Sequence, residues 1–470
     1  MESEGVRQQC LAESAGDGVR VEIIETSSLG DRSYLVADND AVVVIDPQRD
    51  IDRVTGLLGD RTERITHVLE THLHNDYVTG GLELSRLTGA EYVIPQGDDV
   101  GYPARRVTDG DVINAGGFSL RVVHTPGHTR EHVSYVLNDA SGQAVGVFTG
   151  GSMLYDTTGR TDLLGDEHAH DLSVEQYRSV RRLAQELPPH AEVYPTHGFG
   201  SFCSASAAGK EASTIGEQRE SNPALTQDIQ TFVEDLLANL SEYPAYYEHM
   251  GVINREGPAP VDLSAPTPVD PSELRRRIEA GEWVVDLRSR TAFAAAHLGG
   301  SYGFELSDSF VTYLGWLYAW GEPLTLIGDD GEQIDSARRE LVRIGVDEIR
   351  GAATGDIAQL AGDAPLRSYR VADFAALVEE IRRDDVAVLD VRRDDEFQDG
   401  HVLKAINIPI HELTRRWDEL PDDAEIWVHC ASGYRASVAT SILDKHGRNV
   451  VLIDDKYDAA EQLGLTDAGR

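Results

Sequence analysis

Between residues 19 and 46 apolar positions are interrupted by polar ones, as in Val21-Glu22-Ile23-Ile24, and gather in the run Ala41-Val42-Val43-Val44-Ile45 closed by Asp46. Strand side chains point to opposite faces in turn, so a period of two predicts strands here, with turns at Gly30-Asp31 and Asp38-Asn39-Asp40. Helix-like and strand-like segments then alternate to about residue 200, and a helix is expected around Thr226–Leu240 after the polar run from Thr214 to Asn222. Gly257-Pro258-Ala259-Pro260, Pro266 and Pro268 mark residues 253–268 as a linker, because proline neither continues a helix nor donates to a sheet.

Beyond the linker the pattern repeats. Trp283-Val284-Val285-Asp286-Leu287-Arg288, Phe293 and Ala296-His297-Leu298-Gly299-Gly300 are matched about 103 residues later by Val388-Leu389-Asp390-Val391-Arg392, Phe397 and Gly400-His401. A chain of 470 residues exceeds one hydrophobic core. The expected organisation is a large α/β unit over 1–252, the linker, one repeat over 269–362 and a second over 363–470. The repeats differ at one point. The first follows its strand Leu324-Thr325-Leu326-Ile327 with Gly328-Asp329-Asp330, whereas the second follows Ile426-Trp427-Val428 with His429-Cys430.

Composition narrows the class. Apolar residues make up 41% of the chain, the range of soluble globular proteins, and no run nears the roughly 18 apolar residues of a membrane span. The acidic, polar start predicts no secretory signal. The net charge of −39 argues against nucleic acid and anionic membrane as partners. Lysine occupies only positions 210, 404, 445 and 456, so arginine carries nearly all the positive charge; a salt-rich habitat and a GC-rich genome both give such an acidic composition. Three cysteines, Cys10, Cys203 and Cys430, cannot build a disulfide framework, and a reducing, cytoplasmic setting is expected. Composition leaves a homo-oligomer open.

The candidate chemistry begins at Cys430. It leaves an apolar strand into Ala431-Ser432-Gly433-Tyr434-Arg435. Successive backbone N–H groups in such a loop favour an anion, a following helix adds its N-terminal dipole, and Arg435 adds a fixed charge. All three stabilise a thiolate. With Asp390, Arg392, Glu396-Phe397, Gly400-His401 and Ala405-Ile406-Asn407-Ile408-Pro409 in order before it, this segment resembles a rhodanese domain over roughly residues 367–466. The resemblance implies an α/β sulfurtransferase in which Cys430 carries a persulfide, and Ala431, Ser432, Gly433, Tyr434 and Arg435 cradle its terminal sulfur. The first repeat resembles a rhodanese without its nucleophile, and a structural or docking role is expected for it.

The large unit carries Thr71-His72-Leu73-His74-Asn75-Asp76-Tyr77 after the apolar run Ile65 to Leu69, then Thr125-Pro126-Gly127-His128, Phe148-Thr149-Gly150-Gly151-Ser152 and Pro195-Thr196-His197-Gly198. Two histidines two apart on a loop leaving a strand can face one ion, with Asp76 as a hard ligand or a partner of one. The order resembles the metallo-β-lactamase fold, an αββα sandwich, over roughly residues 19–250. Thr79-Gly80-Gly81, Gly159-Arg160-Thr161-Asp162 and Asn222-Pro223 resemble its persulfide dioxygenase and hydroxyacylglutathione hydrolase branch. Two positions depart from the family pattern: Tyr77 stands where it has histidine, and Gly151 where it has aspartate. Only Asp76 and His197 are left for a second metal. His72, His74 and His128 are expected to hold one divalent metal per chain, Fe(II) before Zn(II), with Asp76, Tyr77 and His197 beside it. His168 and His170 read as a solvated loop, His124 as structural, His132 as a group behind the metal ligands and Cys203 as a buried hydrophobe.

The resulting expectation is an enzyme of persulfide and sulfane-sulfur metabolism. Its implied partners are glutathione or another small thiol, its persulfide, and thiosulfate or sulfite. Two alternatives stand beside it: a thioester hydrolase of the hydroxyacylglutathione type using metal-activated water, and a catalytically silent scaffold carrying an active rhodanese.

Overall fold

The computed structural model describes residues 6–10, 18–97, 99–204 and 210–468, with the side chains of 6–10 and 468 left aside. The side chain of Cys10 therefore lies outside the described residues. The chain divides into two units, Met1–Asp262 with Val342–Gly345, and Leu263–Leu341 with Val346–Arg470. Among the described residues no helix is long and apolar enough to cross a membrane.

The first unit is a sandwich of two sheets. In the seven-stranded sheet the strands Val6–Cys10, Arg20–Thr26, Asp31–Ala37 and Val42–Ile45 pair antiparallel in turn, and Val42–Ile45 then pairs parallel with Ile65–Leu69, which is followed by Glu91–Pro95 and Arg105–Val107. The five-stranded sheet runs Glu192–Pro195, Ala144–Gly150, Val133–Asn138, Phe118–His124, Val112–Ala115. The period of two explains the layering. Val43 and Ile45 enter the core between the sheets with Leu120, Val122 and Phe148, while Val42 and Val44 face the outer layer with Val54, Leu58 and Leu82. The helix Asp166–Glu186 covers the other sheet, with Ile229–Ala238 packed beside it. The helix expected near 226–240 thus runs Ile229–Ala238, preceded by the short turn Pro223–Thr226. His168, half-buried, and His170, exposed, lie in the first two turns of Asp166–Glu186 rather than in a loop, because Asp166 and Glu167 suit a helix start.

The second unit holds two parallel sheets of matching order. One runs Tyr302–Gly303, Trp283–Asp286, Leu324–Gly328, Ile349–Thr354; the other runs Ile406–Asn407, Val386–Asp390, Glu425–His429, Asn449–Ile453, Arg370–Ala372. The repeat extends to single bonds. Arg288 pairs with Asp286 at 2.7 Å and donates to the Ala296 carbonyl; Arg392 pairs with Asp390 at 2.7 Å and donates to the Gly400 carbonyl. His297 stacks on Phe293 and His401 on Phe397, with centroids 4.1 and 4.0 Å apart.

The segment expected as a linker is structured at both ends. Its first residues complete the helix Tyr247–Glu256, which stops at Gly257 with φ of 98°. Its last residues, Thr267 and Pro268, join the edge of the first repeat's sheet, where the Thr267 carbonyl accepts from Ala352 N–H. Proline at a sheet edge forfeits no ladder bond, which is how a proline-rich run can end in a sheet.

Candidate metal centre and sulfur-transfer loop

The histidines of the first unit sit on loops at the carboxyl ends of strands: His72 after Ile65–Leu69, His128 after Phe118–His124 and His197 after Glu192–Pro195. All are buried, at 0–1% exposure, which removes solvent as a partner for their ring nitrogens. His72, His128 and His197 present nitrogens within 4.8 Å of one another. The Nε2 atoms of His72 and His197 are 3.3 Å apart. A second compact group is His74, Asp76 and His197, and a third is Asp46, Glu70 and His74.

His74 lies beside His72, with ring centroids 4.2 Å apart, and holds its other nitrogen among charges: its Nε2 lies 3.3 Å from Asp46, 3.2 Å from Glu70 and 3.0 Å from the Tyr77 hydroxyl. Burial disfavours its cation, but Asp46 and Glu70 outweigh that and lift its pKa to about 9. Tyr77 stacks on His74 at 4.3 Å, so it packs against the histidine wall and supplies no donor to His72 or His128. His197 also lies beside His72 and His128, with ring centroids 5.3 Å from each. Its Nδ1 lies 2.9 Å from Asp31 and 3.1 Å from Asp76. Burial raises the Asp31 pKa and the charge of Asp76 adds to it; Asp76 is held low, against its own burial, by His197.

The backbone explains the glycine at 151. A Cβ built there would lie 2.2 Å from His128 Cδ2, and one at Gly159 would lie 2.8 Å from His128 Nδ1. The two glycines, joined by a Gly159 N–H bond to the Gly151 carbonyl at 3.0 Å, therefore both leave room for the His128 ring. Gln176 fastens the arrangement, accepting from His128 N–H at 2.9 Å and donating to the carbonyls of Gly151 and Ser152. His132 accepts the Gly151 N–H at 3.0 Å, and its other nitrogen meets Thr125 Oγ1 at 2.9 Å. Cys203 is buried, with Sγ 3.8 Å from the Tyr247 hydroxyl, and Asp76 and burial push its thiol pKa up. His124 ends its strand at the surface, its Nε2 3.1 Å from the Arg130 carbonyl.

Residues fit for a metal must leave lone pairs with no other use. The His128 Nδ1 is 2.7 Å from the Arg160 carbonyl, which can only accept, so Nδ1 carries the proton and Nε2 the lone pair. That Nε2 and His74 Nδ1 are buried without a partner. The donor set therefore fits a divalent ion.

In the second unit, Cys430 follows the strand Glu425–His429 and is buried. Its Sγ accepts the Gly433 N–H at 3.2 Å. Gly433 has φ of 93° and precedes the helix Tyr434–Lys445, whose N-terminus faces the loop. A side chain at Gly433 would meet Asp454 Oδ1 at 2.2 Å. The Ala431 carbonyl accepts from Tyr457 N–H at 2.9 Å, and Ser432 is exposed. Two placements depart from the simple cradle. Arg435 forms a two-bonded pair with Glu396 at 2.5 and 2.8 Å, which neutralises part of its charge and leaves only its remaining N–H donors for a ligand. Tyr434 turns its hydroxyl away, donating to the Glu305 carbonyl of the first repeat. Tyr313, also from the first repeat, packs on Tyr434 at 5.7 Å and lies within electrostatic range of Cys430 and Arg435. Sequence reasoning missed Asp31, Asp46, Glu70 and Gln176 around the histidines, and Tyr313, Glu305 and Asp454 around Cys430. Only the glycine spacing hinted at the close packing.

The metallo-beta-lactamase superfamily profile matches residues 32–197, and the rhodanese-like domain profile matches 373–462. The chain is 32% identical over 213 residues to the persulfide dioxygenase ETHE1, mitochondrial, of Homo sapiens, covering 44% of this chain and 76% of that protein. The chain belongs to the metallo-β-lactamase superfamily, in the family of ETHE1-type persulfide dioxygenase homologues. A rhodanese-like domain follows at its C-terminal end. The chain is also 29% identical over 174 residues to a probable polyketide biosynthesis zinc-dependent hydrolase, BaeB, of Bacillus velezensis, covering 36% of this chain and 72% of that one. A solved metallo-beta-lactamase structure from Staphylococcus aureus superposes with a TM-score of 0.64 at 26% identity, covering 72% of this chain and 99% of that one. These likenesses identify an enzyme of sulfur metabolism. They imply a divalent metal and sulfur-containing small-molecule substrates.

Proposed function

We propose that this chain joins a metal-dependent persulfide dioxygenase-like centre to a rhodanese that transfers sulfane sulfur through Cys430. The observation that carries the rhodanese half is the Gly433 N–H on Cys430 Sγ at the head of a helix, a geometry that favours a sulfur anion. The Cys430 thiolate attacks the outer sulfur of thiosulfate; the S–S bond breaks, sulfite leaves with the electron pair, and a Cys430 persulfide remains. A small thiolate then takes the terminal sulfur and restores the Cys430 thiolate. The Gly433 amide and the Arg435 donors left free by Glu396 hold the negative charge in place.

At the N-terminal centre the net reaction is RSSH + O2 + H2O → RSH + SO3²⁻ + 2 H⁺, and a bound divalent metal supplies the redox chemistry. His72, His128 and neighbouring donors hold that ion, while Asp31 and Gln176 fix the rings around it. Sulfite from this reaction plus a Cys430 persulfide gives thiosulfate, a reason for one chain to carry both units. The substrates are a small thiol such as glutathione, its persulfide, sulfite and thiosulfate.

The test is oxygen uptake with glutathione persulfide, using protein reconstituted anaerobically with Fe(II). Uptake lost in His72→Ala and retained in Cys430→Ser, with sulfur transfer showing the reverse, supports the reading. Sulfur transfer without any uptake would leave a rhodanese on a silent scaffold. The likeness to a zinc-dependent hydrolase motivates a second reading, thioester hydrolysis by zinc-activated water; turnover of S-lactoylglutathione by the Zn(II) form, with no oxygen uptake in the Fe(II) form, would establish it.

A further inference from the structure

The helix Phe310–Leu317 of the cysteine-free repeat divides its side chains between two surroundings. Phe310, Leu314 and Leu317, at helical spacing, are buried. Tyr313 and Trp316, three apart on another face, turn to the cysteine-bearing repeat. Trp316 stacks on His411 at 5.0 Å, and Tyr313 packs on Tyr434 at 5.7 Å. Tyr434 opens the helix behind the Cys430 loop and immediately precedes Arg435. A side chain of one repeat thus stands at the sulfur-carrying loop of the other.

The two tyrosines differ in what their hydroxyls do. Tyr434 donates to the Glu305 carbonyl at 3.2 Å. The Tyr313 hydroxyl has no hydrogen-bond partner among the described residues, and it lies within electrostatic range of Cys430, Arg435, Glu396 and Arg393. Burial pushes its pKa up, so it keeps its proton and remains a donor at neutral pH. The loop itself is short of donors for an oxyanion. The Gly433 amide is occupied at Cys430 Sγ, Arg435 bonds Glu396 twice, and Arg393 bonds Asp395 twice. Thiosulfate brings three sulfonate oxygens into this setting besides the sulfur that Cys430 takes.

Resting on the reading of Cys430 as the sulfur carrier, we propose that the Tyr313 hydroxyl donates a hydrogen bond to a sulfonate oxygen of thiosulfate, which makes it a specificity-determining residue supplied by the cysteine-free repeat. The Cys430 thiolate bonds to the outer sulfur, the S–S bond breaks, and sulfite leaves with the electron pair while its oxygen stays on the phenol. A thiol persulfide carries no oxygen on the sulfur that leaves, so it gains nothing from this donor. A single hydrogen bond to a charged group separates two such substrates by about tenfold or more.

The test is single-turnover loading of Cys430 in the full chain, from thiosulfate and separately from glutathione persulfide, read by mass spectrometry of the alkylated peptide that carries Cys430. Tyr313→Phe keeps the ring and its packing on Tyr434 and deletes only the hydroxyl. Its half-saturating thiosulfate concentration is expected to rise about tenfold, with loading from glutathione persulfide within twofold of the unaltered protein. Unchanged loading from thiosulfate would overturn the proposal. So would an equal loss with both donors, which would make Tyr313 a support for the loop, or loading of the unaltered protein by glutathione persulfide alone. Loading of the unaltered protein by neither donor would remove the reading of Cys430 itself, which distinguishes the two failures.

Discussion

Arg290 of the cysteine-free repeat donates from Nε to Asp454 of the cysteine-bearing repeat at 2.7 Å, and from Nη1 to Glu305 at 2.7 Å. Asp454 lies against Gly433, whose amide faces Cys430 Sγ. The cysteine-free repeat thus neutralises a carboxylate beside the Cys430 loop of the other. Arg290→Ala releases that negative charge next to a site built for an anion. The expected outcome is slower persulfide formation at Cys430, with the loss growing at low ionic strength, and a destabilisation of about 1–3 kcal/mol from two charge-assisted bonds. Thiosulfate:cyanide sulfur transfer against salt, with urea unfolding alongside, measures both. A salt-independent rate equal to that of the unaltered protein would remove any role for Arg290 at the loop.

Glu396 has a different influence on the same chemistry. Its two bonds to Arg435 hold its carboxyl below the usual range although burial pushes the other way. Glu396→Gln keeps the shape and deletes the charge, so the Arg435 cation is left for the substrate. The KM for thiosulfate is expected to fall by about fivefold, on the order of 1 kcal/mol, while Arg435→Ala raises it. Steady-state kinetics of the two variants decide this; a rise of KM in both would mean that Glu396 matters only as a brace for Arg435.

The readable and unreadable parts of this chain divide by range. The two repeats were legible because Asp286 and Arg288, like Asp390 and Arg392, sit two residues apart and close a local pair. Cys430 was legible because its loop is contiguous. The αββα sandwich was implied by the family resemblance that the order of the histidine motifs carries. The charged partners of His74 were not legible, since Asp46 and Glu70 reach its Nε2 from separate strands. The ion pairs of Glu396 with Arg435 and of Asp454 with Arg290 were not legible for the same reason: the partners lie 39 and 164 residues apart. The proline-rich segment misled at both ends, because a helix end and a sheet edge tolerate the same residues as a linker.

His429 gives the second unit a pH dependence. It is fully buried beside Phe374 at 5.4 Å and has no hydrogen-bond partner on either ring nitrogen. Burial, with Arg392 and Arg435 adding to it against Asp390, pushes its pKa down from 6.5 to about 4. The unfolded chain therefore binds more protons between those values, and stability rises with pH across that window. The contribution is complete above about 6.5 and is lost as the pH falls toward 4, by about 3 kcal/mol in total. The difference in unfolding free energy between the unaltered protein and His429→Leu should slope between pH 4 and 6.5 and flatten above. A parallel pair of curves would show that His429 titrates normally.

Gly151 offers the sharpest contrast between a sequence argument and a structural one. Family resemblance suggests that Gly151→Asp would restore a missing ligand. The backbone says otherwise: the added Cβ would sit 2.2 Å from His128 Cδ2, and the Arg160 carbonyl, 2.7 Å from Nδ1, ties the ring in place. Overpacking of this kind costs about 1–3 kcal/mol. The strain acts on a donor to the ion. Both Gly151→Ala and Gly151→Asp are therefore expected to lower thermal stability and to weaken Fe(II) or Co(II) binding, with alanine showing that the first carbon is enough. Metal titration by calorimetry under anaerobic conditions checks this. Tighter binding in Gly151→Asp than in Gly151→Ala would mean that the loop yields and the carboxylate displaces a histidine. Equal weakening would mean that the glycine is required by the His128 ring.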